Sequence, residues 1–548
     1  MNVFERQRRR LFTLIAALIL SSWICVTFLY AAPSKSSATR APSDIQKIFH
    51  KTRYKGAVWG LRVLNGDKLI ININPHRQFY IGSVRKIFSV GQLLNAVGPQ
   101  YRYNTPVYRT GSIDRSGVLH GNLILVASGD LTTGGRTNPD GTIAVSNWDH
   151  NEAASLGNAI LTKPNPLAGY ANLARAIRAA GIKRVSGNVI IDDRLFKPFF
   201  FRKQFYVRPI FVNDDVVDAT IVPRGSPGAL ANVTTRPISS ALSIVNRLRI
   251  GAPKTQDSLK IDPELPACIG KPGCTAKIDG ALPSDYNPPL TGRPTLVQTV
   301  RIVQPANYAR TVFIEGLRRA GVTVSAPAVQ VNPTGQLPSQ GSYRASSEVA
   351  ELVGLPYADD AKLILKISYN IGADTSLVLL GVRNHAASMD GALAFERQNL
   401  RAHWHIPSSQ FHFVDGSGGG ETTATNVAAT QMLQELAKSS ASAAFVRALP
   451  ILGIDGSLAF VRDFRSDASL AGATGNVRAK TGTYVSGSSP GGGTILKTQA
   501  IGGYITTKRG HHLVFQLVVN NVPIKKLLDL TSVFQDEGEI AAMLWRDY

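Results

Sequence analysis

Residues 57–97 read AVWGLRVLNGDKLIININPHRQFYIGSVRKIFSVGQLLNAV. Two β-rich runs, Ala57–Leu64 and Lys68–Asn74, flank Asn65-Gly66, a dipeptide suited to a tight hairpin turn. From Ser83 to Val97 the apolar residues Val84, Ile87, Phe88, Val90, Leu93, Leu94 and Val97 are too dense for a one-sided stripe. That density predicts a buried helix, with Gly98 as its stop.

Working outward, the texture changes at about Val107. As far as Ser339 the chain offers short β-like runs broken by Gly, Pro, Asn and Asp, among them Asn122–Val126, Asn188–Ile191 and Thr299–Val303. One helical stretch, Leu167–Ala180, interrupts them. Helical patterns return over Lys362–Leu380, Ser388–Ala402, Ala424–Lys438 and Ala441–Leu449. Three β-like runs follow, Asn476–Tyr484, Gln499–Thr506 and His512–Val519, and Lys525–Trp545 closes the chain as a helix. Two early strands and three late ones make a five-stranded antiparallel sheet, and the helices between supply its cover. The expected fold class is therefore α+β, a domain made of residues 45–106 and 340–548 and interrupted by a β-rich insertion over residues 107–339.

At 548 residues, 44% hydrophobic and 18% charged, the chain suits two or three globular domains. Arg6, Arg8, Arg9 and Arg10 precede a run without any charge, Leu11–Ala32. That run exceeds the roughly 7–15 apolar residues of a signal peptide and approaches the roughly 20 that span a bilayer. Residues 1–32 read as an export signal or a membrane anchor; Leu29 and Tyr30 make a poor cleavage site, which favours the anchor. The arginines then stay in the cytoplasm and everything after Pro33 lies on the far side. Residues 33–44 read as a tether. Cys25 falls inside the apolar run, leaving Cys268 and Cys274 in the short segment CIGKPGC. In an exported protein that pair is expected to be a disulfide, with two free thiols or a small metal loop as alternatives. The net charge of +23 is scattered, with no nucleic-acid-binding signature, and is read as attraction to an anionic cell envelope.

Three short motifs carry chemistry. In Ser83-Val84-Arg85-Lys86, positions i and i+3 share one face of a helix, so the Lys86 amine can reach the Ser83 hydroxyl. An alcohol becomes a nucleophile when a base removes its proton, and an amine serves as that base when burial or a second cation favours its neutral form. Lys480-Thr481-Gly482-Thr483, in the first late strand, offers an ammonium and hydroxyls to a substrate carboxylate, while Gly482 permits close approach of a substrate backbone. Ser-x-Asn has two candidates. Ser186-Gly187-Asn188 reads as a turn; Ser368-Tyr369-Asn370 is preferred, its hydroxyl passing a proton to a leaving amine and its Asn holding a substrate amide. Catalytic roles thus fall to Ser83, Lys86 and Ser368, and substrate binding to Asn370, Lys480, Thr481, Gly482 and Thr483.

The three motifs, in this order, are those of penicillin-binding proteins and class A β-lactamases. With GNLILVASGD at Gly121–Asp130, VSGNVIIDDRLF at Val185–Phe196, VDGSG at Val414–Gly418 and LPILGIDGSL at Leu449–Leu458, the chain from about Ile45 onward resembles the S13 peptidase family, the D-alanyl-D-alanine carboxypeptidase/endopeptidases. The resemblance implies a penicillin-binding fold whose insertion holds two nested domains, peptidoglycan stem peptides as substrate, and no cofactor. It also implies an acyl-enzyme on Ser83, an oxyanion hole from the N–H groups of Ser83 and Thr483, and covalent inhibition by β-lactam antibiotics. Leu131, Tyr369 and Gly419 depart from the family pattern, which expects Pro, Asp and Leu there.

A β-lactamase of the same fold is a second reading, and a catalytically silent envelope-binding protein a third. The first would need a dedicated way to activate water, and the second is opposed by the retention of Ser83, Lys86 and Lys480. The Gly-x-Ser-x-Gly match at Gly487–Gly491 lies in a Gly/Ser/Pro-rich loop without the strand-to-helix turn of a nucleophile elbow. His403, His405, His511 and His512 have no metalloprotease helix around them.

Overall fold

The late strand His512–Ile524 sets the architecture, because apolar side chains leave both of its faces. Leu513, Phe515, Leu517 and Val519 enter one apolar cluster and Val514 and Val518 another. A strand buried on both faces must lie inside a sheet with cover on either side. The computed structural model of the protein, which describes residues 40–489, 493–525 and 527–548, has that arrangement. The N-terminal arginines, the apolar run, Cys25, most of the tether and Pro490 and Gly491 of the Gly-x-Ser-x-Gly match lie outside the described residues, while Gly487–Ser489 of that match are strand and not the expected loop.

The sheet contains β1 (Val58–Asn65), β2 (Lys68–Ile73), β3 (Val477–Ser489), β4 (Gly493–Thr506) and β5 (His512–Ile524) in the order β2-β1-β5-β4-β3, antiparallel throughout. The two ends of the chain meet at its centre, where Leu61 stands opposite Leu517 and Leu517 opposite Ile501. The expected α+β class and five-stranded sheet are thereby established. β3 is left as an edge, which matters below.

One face is covered by the short helix Ser43–Phe49 and by α5, the closing helix Leu527–Asp547. The other packs on α1 (Lys86–Val97), α2 (Tyr357–Ile367), α3 (Asn370–Val382) and α4 (Asn426–Lys438). Every residue of α1 from Lys86 to Leu94 is buried, as its apolar density predicts. Two details differ from the sequence reading. Ser83 sits in a single tight 3₁₀ turn, Gly82–Arg85, with the α-helix starting at Lys86. The helix expected over Lys362–Leu380 is two helices, because Ser368 adopts a left-handed conformation (φ 62°) that ends α2.

Between α1 and α2, Arg102–Arg109 pairs with Glu348–Pro356 and with Leu123–Val126, and the last pairs in parallel with Val189–Asp192. Two helices pack on these strands. Ala168–Ala179 matches the expected one; Pro305–Arg319 was not anticipated, because Arg310 and Gly316 interrupt its apolar face. Arg310 is nonetheless fully buried, its guanidinium donating to the carbonyls of Val189, Pro327 and Ala328. A smaller apolar cluster around Ala219, Leu248 and Ile278 holds together the short strands between Val216 and Arg301. Cys268 and Cys274 form a disulfide. Among the described residues no helix is long and apolar enough to cross a membrane.

Candidate active site

Lys86 begins α1 one turn after Ser83, and its amine lies 2.7 Å from the Ser83 hydroxyl. The residue is completely buried, and oxygens from separate segments surround its ammonium nitrogen: Asn370 Oδ1 at 2.7 Å, the Ser417 carbonyl at 2.9 Å and Ser368 Oγ at 3.4 Å. The break between α2 and α3 accounts for two of them. Had the helix run on through Ser368, Ser368 and Asn370 would point in different directions around its axis, as residues two apart do; the left-handed residue turns both toward Lys86.

Lys480 lies on edge strand β3 and is likewise fully buried. Its amine donates to Ser368 Oγ at 2.9 Å and to the Thr481 carbonyl at 2.8 Å. Ser368 is therefore the hydroxyl shared by both lysines. The edge of β3 presses on the Ser83 turn: a Cβ on Gly482 would come within 2.1 Å of the Ile81 carbonyl oxygen and 3.1 Å of Ser83 N. One on Gly82 (φ 48°) would come within 2.8 Å of Thr483 N. Only glycine fits at either place, and their close approach brings the backbones of Ser83 and Thr483 to the same gap. The eight residues selected from the sequence thus gather at one place. The rejected Ser186-Gly187-Asn188 is a turn, with the Ser186 hydroxyl donating to the Leu119 carbonyl.

Several supporting residues were given no role in the sequence reading. Ser417 and its neighbours come from the VDGSG segment. Asp415 pins that loop by accepting from the N–H groups of Ser417, Gly418 and Gly419. Asp374, one turn into α3, accepts from Gly416 N at 2.9 Å. Its burial, and then the charge of Asp415, push its carboxyl up to about 8 against the opposing influence of Lys86. Arg85, the variable position of the first motif, is fully buried, bonded by both arms to Glu396 and stacked 4.0 Å over the Phe413 ring. Burial pushes the Glu396 carboxyl up even against the Arg85 charge. On the other side the Thr481 hydroxyl lies 2.7 Å from that of Ser457, and the Thr483 hydroxyl donates to Gln499 Oε1 at 2.8 Å. Asn147, 309 residues away in the sequence, accepts from Gly456 N at 2.8 Å.

Elsewhere, Asp149, His150 and Asp214 are spaced as metal ligands would be. Arg136 sits among them, donating to both carboxylates at 2.8–2.9 Å, so one of their two negative charges is already balanced by a buried guanidinium. His403, His405, His511 and His512 are exposed.

With the geometry in place, comparison with known proteins is informative. The D-Ala-D-Ala carboxypeptidase 3 (S13) family matches residues 41–533. No curated protein matches the chain. Among solved structures, penicillin-binding protein 4 from Haemophilus influenzae is similar in fold, with a TM-score of 0.65 and 17% identity over 92% of this chain and 99% of that one. Its complex with a novel β-lactam gives 0.63 and 18% over the same shares. At such identities the likeness is one of fold, a penicillin-binding α+β fold. The match over nearly the whole sequence means that the chain belongs to the D-Ala-D-Ala carboxypeptidase 3 (S13) family.

Proposed function

We propose that this member of the S13 family is a serine D,D-peptidase that acts outside the cytoplasmic membrane on peptidoglycan stem peptides, releasing the terminal D-alanine or cutting cross-links. The observation that carries the reading is the buried Lys86 amine 2.7 Å from Ser83 Oγ, with Ser368 bridging Lys86 and Lys480.

The mechanism follows from those distances. Lys86, as the neutral amine, takes the Ser83 proton while Ser83 Oγ attacks the carbonyl carbon of the penultimate D-alanine. The N–H groups of Ser83 and Thr483 hold the oxygen that becomes negative. Ser368 hands a proton to the departing amine and is resupplied from the Lys86 side. The C–N bond breaks, D-alanine leaves, and water attacks the acyl-enzyme to regenerate Ser83. Lys480, with the Thr481 and Thr483 hydroxyls, receives the terminal carboxylate, Gly482 lets the substrate backbone run beside β3, and Asn370 holds a substrate amide. A β-lactam mimics the scissile amide and acylates Ser83. Its leaving group stays tethered, blocks water and makes the adduct long-lived. Binding of a β-lactam by the Haemophilus influenzae protein of similar fold supports this reading. None of these steps needs a cofactor.

The test is turnover of a D-Ala-D-Ala peptide by purified protein, followed by a digest of isolated peptidoglycan with product masses. D-alanine release with a slowly decaying penicillin adduct on Ser83 is the expected result. Rapid loss of the adduct with many cycles of antibiotic hydrolysis would replace the reading with a β-lactamase. An inert protein would leave envelope binding alone.

A further inference from the structure

The segment Lys197-Pro-Phe-Phe-Phe-Arg-Lys-Gln-Phe-Tyr-Val-Arg208 folds as a hairpin. Phe199–Phe201 pairs with Phe205–Val207 in the register Phe201 to Phe205, Phe200 to Tyr206 and Phe199 to Val207. Strand alternation sends Phe199, Phe201, Phe205 and Val207 into the main core. The other face carries Phe200 and Tyr206, which stay 51% and 54% exposed with ring centroids 4.9 Å apart. Polar residues satisfy an outward strand position at no cost, so two large rings side by side in water call for a reason. Around them Lys197, Arg202 and Lys203 are exposed, and no acidic residue occurs from Arg194 to Asn213.

This strip adjoins the active site. Arg202 Nε lies 3.9 Å from the place a Cβ would take on Gly419, two residues beyond the Ser417 carbonyl that holds Lys86. Gly419 has no side chain to separate Arg202 from the Asp415 loop.

We propose that the Phe200/Tyr206 face, with Arg202, Lys203 and Lys197, is a docking strip for the glycan-and-peptide polymer on either side of the bond being cut. The apolar faces of amino-sugar rings stack on the two aromatic rings, and stem-peptide carboxylates meet the cations. The inference rests on the D,D-peptidase reading and adds a second contact on the same polymer. Such a contact raises the local concentration of cleavable ends at Ser83 without touching the reacting atoms. On this proposal the strip favours polymer over short peptide, because a short peptide lacks the sugar rings that would stack on the aromatic pair.

The experiment compares the full chain with a double variant, Phe200→Ser and Tyr206→Ser, and with Arg202→Gln/Lys203→Gln. Both pairs are on the exposed face, and melting curves establish that the fold is kept. Co-sedimentation with insoluble, protein-free peptidoglycan and D-alanine release from it are expected to fall about tenfold for the aromatic pair. For the aromatic pair, turnover of a soluble D-Ala-D-Ala peptide should stay within about twofold. Unchanged polymer binding, or equal loss on polymer and short peptide, overturns the proposal. So does co-sedimentation with phosphatidylglycerol vesicles that the variant loses, since that would make the strip a lipid contact. If the wild type turns over no D-Ala-D-Ala peptide at all, the functional reading fails, while polymer binding by Ser83→Ala with and without the hairpin substitutions still decides the strip.

Discussion

Lys86 and Lys480 are both wholly buried, and both reach Ser368, yet they are held in different ways. Lys86 is caged by α3, the VDGSG loop and its own helical turn, so three distant parts of the sequence must agree on one position. Lys480 is held by a carbonyl of its own strand and by the shared hydroxyl, and the strand takes further support from Ser457 and Gln499. The first arrangement fixes a reacting atom. The second leaves an edge strand beside a gap, where a substrate can lie along it. Damage to the cage should therefore stop chemistry on every substrate, whereas damage to the strand side should depend on what the substrate carries at its C-terminus.

The largest effect is expected for Ser83→Ala. Hydrolysis and penicillin labelling should fall at least about a thousandfold, with stability changed by only about 1 kcal/mol, because one hydrogen bond to Lys86 is lost. Residual turnover near the wild-type rate, measured with a D-Ala-D-Ala peptide, would place the nucleophile elsewhere.

Lys480→Ala sharpens the contrast. Loss of a charge-assisted bond to a carboxylate, worth about 1.5–3 kcal/mol, corresponds to roughly ten- to a hundredfold in kcat/KM for peptides with a free C-terminus. Amidated peptides should lose much less. Equal loss on both would mean that Lys480 acts through Ser368 on the Lys86 cage, and the division between the two sides would collapse.

How much of this was legible follows the same division. The i,i+3 spacing announced Ser83 and Lys86, and the apolar density after them announced α1. The lone Lys-Thr-Gly announced the substrate side on the first late strand, and two early plus three late β runs pointed to the sheet. What stayed hidden depends on chain folding over long separations. A left-handed serine that splits α2 from α3 leaves no local signal, since Ser368 sits in an otherwise good helical pattern. Arg85 and Glu396 stand 311 residues apart in the sequence, and Asp374 stands 42 from the Gly416 N–H it accepts from. Only the close packing of three segments turns them into supports. The helix Pro305–Arg319 was obscured by an arginine whose partners are carbonyls of other segments.

A smaller effect tests whether the insertion serves the strand side. Asn147 holds Gly456 N, Ser457 follows it, and the Ser457 hydroxyl meets that of Thr481. Trp148 stacks on Phe460, tying the same two segments. Asn147→Ala and Ser457→Ala should each raise KM for free-carboxylate peptides about three- to tenfold, the worth of one neutral hydrogen bond, with kcat held within about twofold. Ser457→Thr, which keeps the hydroxyl, should restore the KM. A fall in kcat alone, on all substrates alike, would put these residues with the cage.

The smallest expected effect is one of stability, and it separates the two sides by pH. Asp374 lies beside the Lys86 cage with its carboxyl raised to about 8, by burial first and Asp415 second, against the charges of Lys86 and Arg202. Its ordinary value is 3.8, so between about pH 4 and 8 the folded chain keeps a proton that the unfolded chain has released. The sign follows: this contribution to stability is full below about 3.8, is lost as pH rises, and is gone once pH has passed through about 8. The slope for one proton is at most about 1.4 kcal/mol per pH unit. Other buried acids, among them Asp130, Asp360 and Glu537, have raised carboxyls and tilt the same curve, so the wild type alone cannot isolate Asp374. Asp374→Asn can, since the amide oxygen still accepts from Gly416 N while the titration disappears. Denaturant unfolding of variant and wild type at pH 5 and pH 8 should show the variant gaining on the wild type at the higher pH. Parallel behaviour would mean that Asp374 is already ionised in the folded protein, making the cage a carboxylate–ammonium pair.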